Sequence, residues 1–201
     1  MALRFPVFSL DAPRTILLAL LLMLATDSSR AAGWDIDQLM RELAQTRSDR
    51  ALFVEKKFIA ILDKPVESSG ELVYTAPDHL VKRTVKPKPE SMTVDAGVLT
   101  IERGRQKHRL QLQDYPELAA FIDSIRGTLA GDRKALERSY RLSLDGTPER
   151  WTLELQPANE KMLAVIRNIR IGGVRDAVRS VEIFQADGDR SLMLIEKAPL
   201  P

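Results

Sequence analysis

Hydrophobic and polar positions change period several times along this chain, and each change marks an element. Ile36, Leu39, Met40 and Leu43 recur at i, i+3, i+4 and i+7, which predicts a helix from Asp35 to about Arg47, with Asp35 as its N-cap. The period then shortens. Ala51 to Leu62 is rich in β-branched, aromatic and aliphatic residues. Gly70 to Ala76 alternates, with Leu72, Tyr74 and Ala76 on one face. Strands over Leu80–Lys86, Ser91–Asp95, Val98–Glu102 and Lys107–Leu112 follow, punctuated by Pro87, Pro89, the turn Asp95-Ala96-Gly97 and the turn Arg103-Gly104-Arg105.

Helical spacing returns over Asp114–Leu129, where Leu118, Phe121, Ile122, Ile125 and Leu129 share a face. Asp114 is the expected N-cap, Pro116 an early helical position, and Gly127 and Gly131 interruptions. A short helical turn is expected over Asp132–Arg138. Strands resume at Tyr140–Asp145, Trp151–Gln156, Met162–Ile171, Val178–Gln185 and Ser191–Lys197, with turns at Asp145-Gly146, Gly172-Gly173 and Asp187-Gly188. Short connections make sequence neighbours pair antiparallel. The expected architecture is mainly β with α: one strongly curved antiparallel sheet of about ten to eleven strands, helices on one face, in a single domain over 34–201. Periodicity alone predicts a normally packed core. A wide sheet poor in aromatics, however, has an inner face that two short helices fill incompletely.

The N-terminus reads differently. Ile16 to Ala25 is an apolar run of ten residues preceded by Arg4 and Arg14, and Ser29-Arg30-Ala31 supplies small residues at the −3 and −1 positions of a cut. The run is shorter than the roughly 20 residues a membrane span needs. Residues 1–31 are therefore expected to be a cleaved secretory signal peptide, with cutting after Ala31 or Gly33, and export follows. The segment carries three of the 30 basic and two of the 28 acidic residues, which leaves 27 against 26 in the mature chain. That near-neutral balance argues against a nucleic-acid partner bound through bulk charge.

The chain has no cysteine and only two histidines, His79 and His108. Disulfide scaffolds, thiolate metal sites and cysteine nucleophiles are excluded, and no cofactor or metal is expected. There is no G-x-S-x-G elbow. Gly127 to Lys134 lacks the Gly-Lys-Ser/Thr of a phosphate loop, and Asp187 and Asp189 suit a turn better than a calcium loop. No nucleophile–base pair has a recognisable spacing, so no catalytic residue and no enzymatic activity are expected. Basic clusters at Lys82-Arg83…Lys86-Pro87-Lys88 and Arg103 to Arg109 read as solvated strand faces, or as a docking patch for anionic lipid heads or an acidic partner.

Three stretches carry a resemblance. Phe53-Val54-Glu55, then Gly70 to Leu80 with Tyr74 and the turn Pro77-Asp78, then Val94-Asp95-Ala96-Gly97-Val98-Leu99 resemble the LolA family of periplasmic outer-membrane lipoprotein carriers. The match in order and spacing covers residues 35–112. The resemblance implies an unclosed half-barrel with a helical lid over an apolar cavity. It implies acylated lipoprotein or lipid cargo, an inner-membrane exporter, an outer-membrane acceptor, and a monomeric carrier. Ala76 stands where the main carriers place a lid-latching Arg before the turn Pro, and Leu80 stands at the position of a cavity-facing aromatic. These departures point to a divergent LolA-related branch whose cargo is a lipid or lipid-like product. On the resemblance and the alternation together, the expected cavity residues are Val54, Phe58, Leu72, Tyr74, Leu80, Met92 and Val94 on the sheet and Leu118, Phe121, Ile122 and Ile125 on the helix. The alternative is a periplasmic lipid- or lipoprotein-sensing regulator with an RseB-like domain.

Overall fold

The computed structural model describes residues 34–198. The expected signal peptide, with both candidate cut sites, lies outside the described residues.

A short helix, α1 (Ile36–Leu43), opens the fold. The Asp35 carboxylate accepts from the Gln38 N–H at 2.8 Å, satisfying one of the free donors of the first turn. The helix ends at Leu43, short of Arg47, and its last turn tightens, with the Gln45 N–H donating to the Glu42 carbonyl and the Thr46 N–H to the Leu43 carbonyl. Six strands follow: β1 (Ser48–Phe58), β2 (Val66–Thr75), β3 (His79–Lys86), β4 (Glu90–Asp95), β5 (Val98–Arg103) and β6 (Gln106–Gln111). A 3-10 turn, Leu112–Asp114, leads into α2 (Pro116–Ala130) and then α3 (Arg133–Glu137). Then come β7 (Tyr140–Thr147), β8 (Arg150–Pro157), a one-turn helix α4 (Glu160–Leu163), β9 (Ile166–Val174), β10 (Ala177–Gln185) and β11 (Arg190–Lys197).

All eleven strands form one antiparallel sheet in the order β6-β5-β4-β3-β2-β1-β11-β10-β9-β8-β7. The sheet is unclosed, since β6 and β7 lie at opposite edges. Two meanders are joined through β1 and β11, with Val54 opposite Leu194 and Phe53 opposite Ile195.

Local chemistry corrects several boundaries. Asp114 does not cap α2. It sits in the 3-10 turn, and the N-cap is Tyr115, with Pro116 opening the helix, where a missing N–H costs nothing. Gly127 does not break α2. The helix runs through it to a left-handed Gly131 (φ 64°), whose N–H donates to the Thr128 carbonyl while Asp132 N–H donates to the Gly127 carbonyl. The Met162–Ile171 strand is split, because Asn159 accepts from the Met162 N–H and nucleates α4 before β9 begins. Asp145-Gly146 and Gly172-Gly173 are not turns but lie inside β7 and β9. At Gly173 the reason is space: a Cβ there would stand 2.2 Å from Trp151 Cζ2, so the glycine makes room for the indole.

Helices cover one face in two packed clusters. Leu39, Leu43, Leu136, Trp151, Leu153 and Ile169 anchor one, joining α1 and α3 to β7–β10. Val94, Leu99, Leu112 and Ile122 anchor the other, joining α2 to β4 and β5. Phe121 of α2 packs against both.

Candidate ligand cavity

Between these clusters, where α2 bridges the middle of the sheet, lies a cavity of about 630 Å³. Its volume falls within the range of roughly 300–1,000 Å³ common for small-molecule sites. A curved sheet explains the space. The helices pack tightly on the two flanks, and α2 spans the inner faces of β1, β2, β10 and β11 without filling the space beneath it.

Register decides which side chains face it. Ala51 pairs with Leu72, Leu72 with Lys82 and Lys82 with Met92, while Tyr74 pairs with Leu80 and Leu80 with Val94, so these residues share the concave face. Leu72, Tyr74, Leu80, Met92 and Val94 line the cavity, and Leu118, Phe121, Ile122 and Ile125 close it from α2. Val54 and Phe58 do not belong with them. On β1 it is the odd-numbered Asp49, Ala51, Glu55 and Lys57 that line the cavity. Val54 lies on the convex face and is 45% exposed. Phe58 shares its parity and stacks under the Arg190 guanidinium, 4.2 Å from the ring centroid. Leu52-Phe53-Val54 is apolar without alternation, so the pattern could not choose between the two faces.

The second meander supplies much of the opposite wall, through Ile171, Val178, Val181, Ile183, Met193 and Ile195. Leu192 to Ile195 is apolar without alternation and β10 shifts register between Val178 and Ser180, so local pattern does not choose these residues, and their meeting with β1 depends on the β1–β11 pairing.

One patch of this wall is polar. Glu55 is only 4% exposed. Its Oε2 accepts from Lys82 Nζ at 2.5 Å and from Ser68 Oγ at 3.3 Å, and its Oε1 accepts from Ser191 Oγ at 2.7 Å. Lys57 Nζ stands 3.9 Å from Oε1. Burial pushes the Glu55 carboxyl up, but the Lys82 ammonium, the Ser191 hydroxyl and Lys57 outweigh it and hold the group below its ordinary value. Lys82 thus belongs to the cavity and not to a solvated strand face, whereas Arg83 next to it is exposed.

Tyr74 brings a second polar atom. Its buried hydroxyl has no partner among the described residues, and burial raises its pKa. Tyr140, by contrast, donates from its hydroxyl to the Ala120 carbonyl of α2 at 3.2 Å. No group of three His, Asp or Glu side chains suited to a metal occurs among the described residues.

Comparison with known proteins follows this geometry. Among solved structures, a LolA superfamily protein from Nitrosomonas europaea is 10% identical with a TM-score of 0.43, covering 82% of this chain and 94% of that one. A chain of the MucA/MucB complex from Pseudomonas aeruginosa is 14% identical with a TM-score of 0.43, covering 83% of this chain and 59% of that one. LprF from Mycobacterium bovis is 11% identical with a TM-score of 0.34, covering 83% and 94%. No curated protein sequence matches. The family described as outer membrane lipoprotein carrier protein LolA-like matches residues 28–199, nearly the whole chain. On that match, the protein belongs to the LolA-like family.

Proposed function

We propose that the protein is a periplasmic carrier, exported by cleavage of residues 1–31, whose single domain takes acyl chains of lipoproteins or lipids into the cavity and shuttles them toward the outer membrane. The observation that carries this reading is the apolar cavity between α2 and the concave sheet face. Burying about six methylenes there contributes on the order of 5 kcal/mol, enough to hold one chain. An inner-membrane exporter would load the cargo and an outer-membrane acceptor would unload it, because tight binding alone would trap it. Release requires a partner or a movement of α2 that favours the empty state.

Leu80 is the sharpest test position. It lies on the concave face between Tyr74 and Val94, two residues before Lys82 on the same strand. Leu80→Glu sets a charge into the acyl path. Uptake of a fluorescent fatty acid should fall by at least about tenfold while the circular dichroism spectrum stays unchanged. Equal uptake by the folded variant removes Leu80 from the site. Mass spectrometry of lipids that copurify with the protein from its native envelope should identify the cargo, and a lipid-free protein would count against the carrier reading.

A further inference from the structure

A chamber made only for hydrocarbon has no use for a charged patch. Burying a carboxylate is costly unless it is fully paired, yet this wall places Glu55, Lys57, Lys82 and Ser191 together on three strands. The arrangement has a direction. Both Glu55 oxygens are engaged, Oε1 by Ser191 and Oε2 by Lys82 and Ser68, so the carboxylate is largely occupied as an acceptor. Lys82 is not. Its ammonium has three donors, of which Glu55 takes one among the described residues. The same Nζ lies 5.0 Å from the centroid of the buried Phe53 ring, which fixes its position. Lys57 is half-exposed and adds a second ammonium, loosely neutralised at 3.9 Å. Around Glu55 two cations face one engaged anion, a local net of one positive charge with two spare donors on Lys82; the other acidic lining residues are Asp49, opposite Tyr74 on β1, Glu117 in the first turn of α2, and Asp176.

We propose that this patch is a head-group site, and that the cavity's ligand is an amphiphile with an anionic head, a carboxylate or a phosphate monoester, held by Lys82 and Lys57 with its tail over Leu72 and Met193 toward Phe121. The inference rests on the carrier reading and narrows its cargo. Glu55 acts as a positioning residue. It holds the Lys82 ammonium inside the cavity, where an unpaired lysine would swing to water.

The test is equilibrium binding of three sixteen-carbon probes at pH 8 to the exported protein: hexadecanoate, monohexadecyl phosphate and the neutral monohexadecanoyl glycerol. Both anionic probes, or one of them, should bind about tenfold more tightly than the neutral one, and the ratio should shrink with added salt. Which anion wins identifies the head. Lys57→Met, at a half-exposed position, should cut the preference about threefold. The triple variant Lys57→Met, Lys82→Met, Glu55→Gln should bring it to about one, while Lys56→Met, whose ammonium pairs with Glu67, should leave it intact. Equal binding of neutral and anionic probes by the wild type overturns the head-group site and leaves the carrier reading standing. So does an unchanged preference in Lys57→Met. If no probe binds the wild type, both fall.

Discussion

Glu55 shows how far one side chain can depart from what its neighbours in sequence suggest. On a strand written Phe53-Val54-Glu55-Lys56-Lys57, the expectation that Val54 and Phe58 face the cavity leaves Glu55 on the outer face. The register reverses it. Ala51 opposite Leu72 turns the odd positions inward, and the charge is neutralised by Lys82, 27 residues later. Partners at that distance leave no trace in local alternation, so the polar patch was illegible where the aliphatic wall of Leu72, Leu80, Met92 and Val94 was readable. The lowered Glu55 pKa has a signed consequence. A carboxyl whose native value is depressed adds stability above its unfolded value of about 4.5 and loses it as the pH falls through the native one. Glu55→Gln should therefore cost roughly 1.5–3 kcal/mol at pH 7. Urea midpoints of wild type and variant should converge as the pH is lowered from 5 toward 3. A gap that stays constant over that window would show that Glu55 ionisation does not support the fold.

At the scale of the element, α2 carries the interest. Its apolar spacing was visible, because Leu118, Phe121, Ile122 and Ile125 follow the helical period. Its start was placed two residues early, because Tyr115 caps without a side-chain bond, whereas its end before Gly131 was read to within one residue. From the other meander, the Tyr140 hydroxyl donates to the Ala120 carbonyl of α2. If the helix is a gate closed mainly by apolar contacts, residues 114–131 should exchange amide hydrogens faster than β1 and β11 in the empty protein and slow when lipid is added. Protection equal to the strands in both states rules the gate out. Tyr140→Phe removes one hydrogen bond worth about 0.5–1.5 kcal/mol and should raise exchange along α2 by up to about tenfold, with β1 unaffected.

For the whole molecule, the short turns and the alternating segments made a single wide antiparallel sheet readable, and only its central seam was hidden. Among the described residues no helix is long and apolar enough to cross a membrane. The exported form should begin at Ala32 or Trp34, as N-terminal sequencing of the periplasmic fraction would establish. Recovery of an intact Met1 from a membrane fraction would contradict the leader. The seam itself bears on the order of events during synthesis. β1 and β11 pair residues 51–58 with 190–197, among the most distant partners in the chain, and such contacts form late and at a high entropic cost. Glu55 waits for Ser191 across the same join, and Met193 and Ile195 complete the wall that Ala51 begins. If the chain is exported and loaded as proposed, a polypeptide still emerging from the translocation pore has a first meander but no chamber. It then cannot pick up a greasy ligand before its final strand arrives, so folding to completion and becoming able to load are a single step.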